Sequence, residues 1–427
     1  MNVVAYILFG IIIIYSTYQI FVVDRRSLSI NKIVWFYVLL FWGIASLIQY
    51  ATGGANWGVA LTPTTVVKAN ILILLFVITY NISYKWYLKT DYIDQKDYIT
   101  SKFKISGAGV WILLLLQLGI FIFFTVKNNG VMLYRGESSD FVLANTQAMQ
   151  LIIEQVSRSF TTILTFLFFW QFRQEKSPRN TFIFLFSLAL MVVSNFPLAL
   201  PRYMTGAFYL GLLFIAKPIY KKRSLPIYVL LIIFLIIYPS LSFVRYITSM
   251  SEMQVNMSVF DAFTSGDFDN FSTLNMAILH VENSGITYGR QLLGVLLFFV
   301  PRSIWPTKPI GSGAFLATAR SMDWTNISCP LVAEGYLNFG FVGVVLFGFI
   351  VGFIASKFDY KFYHNKKISV IHLYYPLCLG LIIFILRGDL MSSWAYSISF
   401  LISAFLVFGI GKKFITYQDE ENPLDKE

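Results

Sequence analysis

The chain has 427 residues, of which 57% are hydrophobic and only 13% are charged. Because soluble domains carry about 25% charged residues, this composition excludes an ordinary soluble protein and predicts an all-α polytopic integral membrane protein. The formal net charge is +11, but the basic residues concentrate in alternate loops, which is typical of membrane topology and predicts no nucleic-acid partner.

A membrane helix needs about 20 predominantly apolar residues, and about eleven stretches of the chain fit that description. In chain order they are 3–23, 33–50, 67–84, 108–126, 149–172, 181–198, 204–220, 225–244, 335–356, 369–386 and 394–410. No basic segment precedes the first stretch, so we expect it to stay as a helix rather than to be cleaved as a signal peptide. Residues 1–427 are expected to form a single integral membrane domain.

The orientation follows from lysine and arginine, which stay in cytoplasmic loops. Their clusters occupy 25–32, 85–104, 173–179, 217–223, 357–367 and the tail 412–426. This pattern predicts about 11 transmembrane helices, with the N-terminus outside and the C-terminus inside. The excess positive charge then faces anionic lipid of the inner leaflet, so membrane lipid is the partner that it predicts.

One apolar run, 291–300, is too short to span a membrane. If it did span, the basic cluster at 357–367 would fall outside, against the charge rule. We therefore expect a re-entrant or surface helix, and residues 245–334 become one large external loop.

The stretch 298–343 is the richest part of the chain in charge, proline and glycine. Its functional candidates are Arg302, Lys308, Arg320 and Glu334, with Pro301, Pro306 and Pro309 stiffening the backbone between them. Since apolar helices flank this stretch, the sequence predicts that the chain does its work here.

The basic residues predicted outside are mostly arginines, whereas those predicted inside are mostly lysines. The external arginines are Arg135, Arg158, Arg202, Arg245, Arg290, Arg302, Arg320 and Arg387. Arginine binds phosphate with two parallel hydrogen bonds and stays charged. This set favours a phosphate- or pyrophosphate-bearing ligand, and the alternative is that some members anchor at lipid headgroups.

Four more residues are candidates for substrate binding. Arg202 starts a predicted helix, where a cation opposes the helix dipole and is costly unless it has a partner or ligand; Arg245 ends one, where a cation is favoured. Arg387 and Asp389 lie in a very short outer loop and either pair with each other or face a lipid-linked substrate.

His280 is the one external histidine and therefore a candidate for proton transfer, although a plain surface histidine is the other interpretation.

Two patterns have stronger structural interpretations. Glu154 and Arg158 have the i, i+4 spacing of a helical ion pair. Asp267 and Asp269 form the acidic pattern with which many sugar transferases hold a metal, but the composition around them is typical of a turn. No metal site or cofactor is predicted. Cys329 and Cys378, one in a polar loop and one in an apolar run, predict no disulfide.

The segments from Pro301 to Pro309 (PRSIWPTKP) and from Glu334 to Gly343 (EGYLNFGFVG) carry a resemblance. With the hydropathy of the whole chain, they resemble the bacterial O-antigen and capsular repeat-unit polymerases of the Wzy type. The resemblance implies a metal-independent, GT-C-like helical fold in the bacterial plasma (inner) membrane. It also implies polymerisation of undecaprenyl-pyrophosphate-linked oligosaccharides at the outer face, with a chain-length regulator protein as an expected partner.

On this interpretation an acceptor hydroxyl attacks the anomeric carbon of the lipid-linked donor, and pyrophosphate leaves. Arg302 and Arg320 would stabilise the leaving group, and Glu334 would take the hydroxyl proton. The residues assigned to substrate binding are Arg202, Arg245, Lys308, Arg387, Asp389 and His280. The alternatives are a flippase or transporter of the same lipid-linked glycan, and a ligase-type or acyl-modifying transferase.

Overall fold

The structure is a computed structural model, and it describes residues 1–88, 101–127, 147–197, 200, 202–215, 224–237 and 263–417. Arg245 lies outside the described residues. Arg202 begins a described helix, but its side chain lies outside the described part of the chain.

The described residues are almost entirely helical, which confirms the all-α membrane class. The helices are α1 (Asn2–Tyr18, continued by a π-helical turn at Gln19–Val23), α2 (Ile30–Thr52), α3 (Pro63–Leu88), α4 (Gly107–Lys127), α5 (Gln147–Gln174), α6 (Pro178–Ser194), α7 (Arg202–Ile215), α8 (Leu225–Ile232, continued at Ile233–Ile237), α9 (Asn270–Ser284), α10 (Arg290–Leu296), α11 (Ser312–Ala319), α12 (Leu331–His364), α13 (Val370–Arg387) and α14 (Leu390–Gly411). Two short antiparallel strands, β1 (Phe103–Ile105) and β2 (Ile415–Tyr417), pair in register.

Seven of the described helices are long and apolar enough to cross a membrane. They are α1, α2, α3, α4, α12, α13 and α14. Two shorter apolar helices, α6 and α8, coincide with further stretches that the sequence marks as apolar. The chain is therefore a membrane-embedded helical protein.

The chain divides into two compact units, each made of separate stretches. The first contains Met1–Asp91, Phe214–Asp359 and Leu381–Ala395, and the second contains Tyr92–Leu213, Tyr360–Gly380 and Tyr396–Glu427. All the candidate site residues whose side chains are described lie in the first unit. The second contains the predicted ion pair of Glu154 with Arg158, which is confirmed at 2.9 Å.

Buried aromatic side chains form much of the core of the first unit. The Trp42 ring meets Phe76 edge-on with centroids 5.6 Å apart, and Trp35 meets Tyr80 in the same way at 5.9 Å. Edge-to-face pairs suit the charge distribution of aromatic rings. These contacts join α2 to α3 in the core of the first unit.

The apolar run at 291–300 forms only the seven-residue helix α10. At 1.5 Å per residue it is about 10 Å long, a third of the hydrocarbon thickness of a bilayer. It is too short to span, as its sequence predicts.

Helix α12 is interrupted near its start. Phe339 and Gly340 leave helical geometry, and Gly340 has φ +62°, a left-handed conformation that glycine adopts without steric cost. At the interruption a Cβ on Gly343 would overlap the carbonyl oxygen of Gly335. The glycines of the EGYLNFGFVG segment therefore have a steric reason for their positions.

Candidate functional site

Two acids, the buried Glu334 and the half-buried Asp389, lie where three helices begin, and we call them the carboxyl pair. Glu334 belongs to the first turn of α12 and is fully buried. Its Oε1 accepts a hydrogen bond from the backbone N–H of Leu390 at 3.0 Å, and its Oε2 accepts one from the Ser312 hydroxyl at 2.7 Å. One carboxyl group thus holds the first residues of α14 and α11.

Asp389 caps the same two helices from the other side. Its Oδ1 accepts from the N–H groups of Met391 (3.0 Å) and Ser392 (3.3 Å), and its Oδ2 accepts from Gly313 N–H (2.9 Å). Carboxylates are favoured at helix N-termini, where N–H groups lack partners inside the helix. Burial nevertheless raises the pKa of Asp389.

The turn Gly311–Gly313 wraps closely around the carboxyl pair. A Cβ on Gly311 would stand 2.5 Å from Asp389 Oδ2, and one on Gly313 would overlap the carbonyl oxygen of Ile327. Only glycine fits at either position without movement of its neighbours. This Gly-Ser-Gly turn has no local signal in the sequence, because its role depends on carboxyl groups from distant parts of the chain.

Arg387 pairs with Asp269 and not with Asp389. Its guanidinium lies 3.0 Å from Asp269 Oδ1 and also donates to the carbonyl oxygens of Gly266 (2.8 Å) and Asp267 (3.0 Å). The mutual pair of Arg387 and Asp389, one of the two sequence-based hypotheses, is thus not the arrangement found.

Both carboxylate oxygens of Asp269 are bound by other residues of the protein. Its Oδ2 accepts from the Trp57 indole and from Ser328 N–H, each at 3.1 Å. Gly266–Phe268 forms a 3-10 turn, as the composition predicts. Within the described residues, no group of three or more acids, histidines or cysteines is placed to hold a metal.

The residues 290–309, which we call the basic loop, are held by their own cations. Arg302 donates to the carbonyl oxygen of Lys308 at 2.7 Å, Lys308 donates to the carbonyls of Phe298 and Val300, and Arg290 donates to Thr307. In addition to the prolines predicted to stiffen the loop, its cationic side chains therefore hold its backbone together through hydrogen bonds to carbonyl oxygens of the same loop.

The basic loop has unbalanced charge. Burial and the neighbouring positive charge of Arg302 lower the pKa of Lys308, so these cations lie close enough to repel each other. Within the described residues neither one, nor Arg290, forms an ion pair with an acid. Arg302 and Arg290 are exposed and have donors to spare. Such a loop is suited to bind an anion.

The same loop exposes large apolar side chains. Tyr288, just before it, is 85% exposed, Ile304 is 75% exposed and Phe299 is 53% exposed. Apolar groups beside cations are typical of segments that lie at a membrane interface. An anionic ligand with a lipid tail matches both properties of this surface.

Arg320 and His280 lie on neighbouring parts of the first unit. Arg320 is exposed at the C-terminus of α11, where a cation is favoured by the helix dipole. His280 on α9 is half-buried, and its ring meets Phe315 of α11 edge-on at 4.9 Å. Burial lowers the pKa of His280, so the imidazole is neutral at pH 7. No described hydrogen bond joins either side chain to the basic loop or to the carboxyl pair.

A second buried group of charges, not predicted from the sequence, involves Asp24, Arg26, Tyr84 and Asp359, and we call it the charge cluster. Arg26 lies 2.7 Å from Asp24 and 3.4 Å from Asp359. Tyr84 accepts from Arg26 and donates to Asp359, each at 2.6 Å. The cluster therefore ties the end of α1 to α3 and α12.

The start of α2 completes the charge cluster. Asp359 accepts from Ile30 N–H at 2.9 Å, and Asp24 accepts from Ser29 at 2.6 Å and from Asn31 at 2.9 Å. Although burial opposes ionisation, Arg26 and these hydrogen bonds lower the pKa of Asp24. No local pattern reveals this site, since its acids are more than 300 residues apart. The basic residues near it indicate only the orientation of the chain in the membrane.

Comparison with protein-family models, with curated proteins and with solved structures finds no match for this chain.

Proposed function

We propose that this chain polymerises undecaprenyl-pyrophosphate-linked oligosaccharide repeat units into O-antigen or capsular polysaccharide at the outer face of the bacterial plasma membrane. The observation that carries the proposal is the basic loop, where Arg302 and Lys308 are held together without an acidic partner among the described residues. Pyrophosphate supplies the missing negative charge, and a polyprenyl tail suits the exposed apolar side chains beside it.

The proposed topology has eleven transmembrane helices, an outside N-terminus and a cytoplasmic C-terminus, in a GT-C-like arrangement. It puts the basic loop at the outer face and the charge cluster at the inner face. Cysteine substituted at Asn326, which is exposed, should react with an impermeant thiol reagent in intact spheroplasts. Cysteine at Asn365 should react only after permeabilisation, and the reverse pattern would overturn the topology.

In the proposed reaction the acceptor hydroxyl forms the new glycosidic bond as the bond between the anomeric carbon and the pyrophosphate oxygen breaks. The leaving pyrophosphate gains negative charge, and cations already in place lower the barrier. Arg302 is the leading candidate because its exposed guanidinium retains free donors beside Lys308. Arg320 remains a proposed contact of the same substrate, as does Arg245, which lies outside the described residues.

The hydroxyl proton needs an acceptor, and of the two candidates in the sequence, Glu334 and His280, we propose His280. Glu334 is fully buried, with both oxygens engaged by Ser312 and Leu390. His280 is half-buried and neutral, which is the form that takes up a proton. Because both Glu334 oxygens already accept hydrogen bonds, Glu334 is not the residue we propose as the base. Loss of activity in His280→Gln with retention in Glu334→Gln assigns the proton to the histidine.

One observation favours the runner-up, a flippase or transporter. Helix α12 is broken at Gly340, six residues after Glu334, and broken helices are frequent at transporter binding sites. Such a site is expected near the middle of the bilayer with a polar path on both sides, whereas the unbalanced cations lie outside the seven long helices. The ligase-type alternative differs only in its acceptor.

Deletion of the gene separates these functions. The polymerase proposal predicts surface glycans of a single repeat unit with no ladder of longer chains, restored by the wild-type gene. Loss of all surface glycan, with repeat units accumulating on the inner leaflet, would establish the flippase instead. Full-length polymer left on the carrier lipid and untransferred would establish the ligase.

A further inference from the structure

We propose that Ser312, Glu334 and Asp389 are positioning residues, which fix the basic loop relative to the starts of α12 and α14. This inference rests on the proposed function for its effect on activity, but its structural part stands on contacts alone. It gives Glu334 a role other than that of the catalytic base.

The C-terminal end of the basic loop is fixed by the carboxyl pair. Pro309 ends the loop, and Ser312 and Gly313 follow it three and four residues later. The Ser312 hydroxyl is held by Glu334 at 2.7 Å, and Gly313 N–H is held by Asp389 at 2.9 Å. Each acid therefore holds one of two consecutive residues, which fixes both the position and the direction of the chain where it leaves the loop.

The N-terminal end of the basic loop is fixed to the same helix as Glu334. Asn338, one turn after Glu334 on α12, donates to the Glu334 carbonyl oxygen at 2.9 Å. Its Oδ1 accepts from Leu292 N–H at 3.0 Å, and its own carbonyl accepts from Gly289 N–H at 3.2 Å. Both ends of the loop thus reach the first turns of α12.

Helix α10 packs tightly against the end of the basic loop and the start of α14. A Cβ on Gly294 of α10 would overlap the ring of Pro309 and stand 2.9 Å from the terminal methyl group of Met391. The two ends of the basic loop therefore meet each other and the first turn of α14. Since Met391 N–H is itself bound by Asp389 at 3.0 Å, a movement of the carboxyl pair is transmitted to the loop.

The chemistry of the carboxyl pair distinguishes positioning from proton transfer. In Glu334→Gln the amide oxygen can still accept from Leu390 N–H, and the amide N–H₂ can donate to the Ser312 oxygen. The positioning role therefore survives this substitution, whereas a base does not. In Glu334→Ala both bonds are lost, and the Leu390 N–H is left buried and unpaired.

The experiment uses the purified full-length chain in proteoliposomes, with Cys378→Ala as the background so that Cys329 is the remaining thiol. Cys329 is fully buried, and this burial raises the pKa of its thiol, with smaller contributions from the nearby acids Glu334, Asp389 and Asp269. Its rate of reaction with a maleimide therefore reports whether the region around the carboxyl pair stays closed.

In this background Ser312→Ala should label at Cys329 at least about tenfold faster, because the buried hydrogen bond from Ser312 to Glu334 is lost. The KM for lipid-linked donor should rise roughly tenfold with kcat within about threefold, since a displaced loop binds pyrophosphate less well. The matched control is Ser303→Ala, an exposed serine of the same loop, which should change neither measurement. A merely structural role would lower the yield of folded protein and leave KM unchanged.

Glu334→Gln should keep slow labelling of Cys329 and a kcat within about threefold of the parent. Glu334→Ala should label faster at Cys329 and have a lower kcat. Wild-type KM and slow labelling in Ser312→Ala would overturn the proposal. So would a Glu334→Gln variant that labels slowly but has lost activity more than a hundredfold, because that result identifies a base. If the parent chain shows no polymerisation at all, the proposed function fails, and the labelling rates still decide the positioning role.

Discussion

The charge cluster and the basic loop handle their charges in opposite ways within the same unit. In the charge cluster Arg26 lies between Asp24 and Asp359, and every charge has a partner of opposite sign or a hydrogen-bonding group. In the basic loop the cations contact only backbone carbonyl oxygens among the residues that the structure describes. A site with matched charges is complete by itself, whereas one with unmatched charges has a place for a ligand.

The hydrogen bonds of the carboxyl pair show what its acids bind in place of the basic-loop cations. Glu334 and Asp389 accept hydrogen bonds from the first residues of α11 and α14, and within the described residues neither pairs with Arg302 or Lys308. Helix N-termini carry partial positive charge and accept a carboxylate readily. Because the backbone satisfies the acids, the side-chain cations stay available.

The largest effect is expected from breaking the charge cluster. Removing one partner of a buried ion pair costs about 3–5 kcal/mol, because the other charge is left without compensation. Arg26→Met should therefore lower the melting temperature of the solubilised protein strongly, while activity per folded molecule stays close to wild type. A double variant, Arg26→Met with Asp359→Asn, should recover part of the loss.

Arg25→Met is the matched control, because Arg25 is exposed and adjacent. If Arg26→Met abolished polymerisation without changing the melting temperature, the charge cluster would belong to the working site and the comparison would fail.

The next largest effect is expected from Arg302→Lys, which keeps the charge but loses the planar fork that binds phosphate. Loss of a comparable charge-stabilising donor reduces rates by about 10²–10³. The ladder of polymer sizes, measured per amount of membrane-inserted protein, should shorten or disappear. Arg25→Lys is the control for the same chemical change elsewhere, and a normal ladder from Arg302→Lys would remove this arginine from the reaction centre.

The smallest of the three effects is expected from Gly340→Ala. Gly340 has φ 62° and ψ −143°, a combination that essentially only glycine adopts, so a Cβ at this position costs about 1–3 kcal/mol. The melting temperature should drop by a few degrees, with a modest rise in donor KM. Gly119→Ala, where the structure leaves open space for a Cβ, is the control. Equal behaviour of the two variants would mean that the interruption has no role in holding the loop.

The sequence predicted those features that depend on local pattern. Long apolar runs gave the spanning helices, the ten-residue run at 291–300 gave a helix too short to span, and the i, i+4 spacing of Glu154 and Arg158 gave an ion pair. Each of these depends on residues within a few turns of one another. The concentration of basic residues after Val300 was visible for the same reason.

Features that depend on distant parts of the chain were not predictable from one sequence. Arg387 and Asp389 are two residues apart, yet Arg387 pairs with Asp269, 118 positions away, and Asp389 caps α11 and α14. The charge cluster joins Asp24 to Asp359 through Arg26 in the same way. Spacing along the chain indicates what residues on one helix do, but the packing of helices decides which charges meet.

The close backbone contact between Gly335 and Gly343, at the interruption of α12, has a consequence for finding distant relatives of this chain. Apolar residues in membrane helices can replace one another freely, so similar hydropathy is weak evidence of common ancestry. The positions at the interruption are fixed by contact instead: Gly335 and Gly343 by backbone overlap, Gly340 by its left-handed φ, and Asn338 by its bond to Leu292. A search that weights this spacing of three glycines and an asparagine after an acid should detect common ancestry after the apolar sequence has diverged.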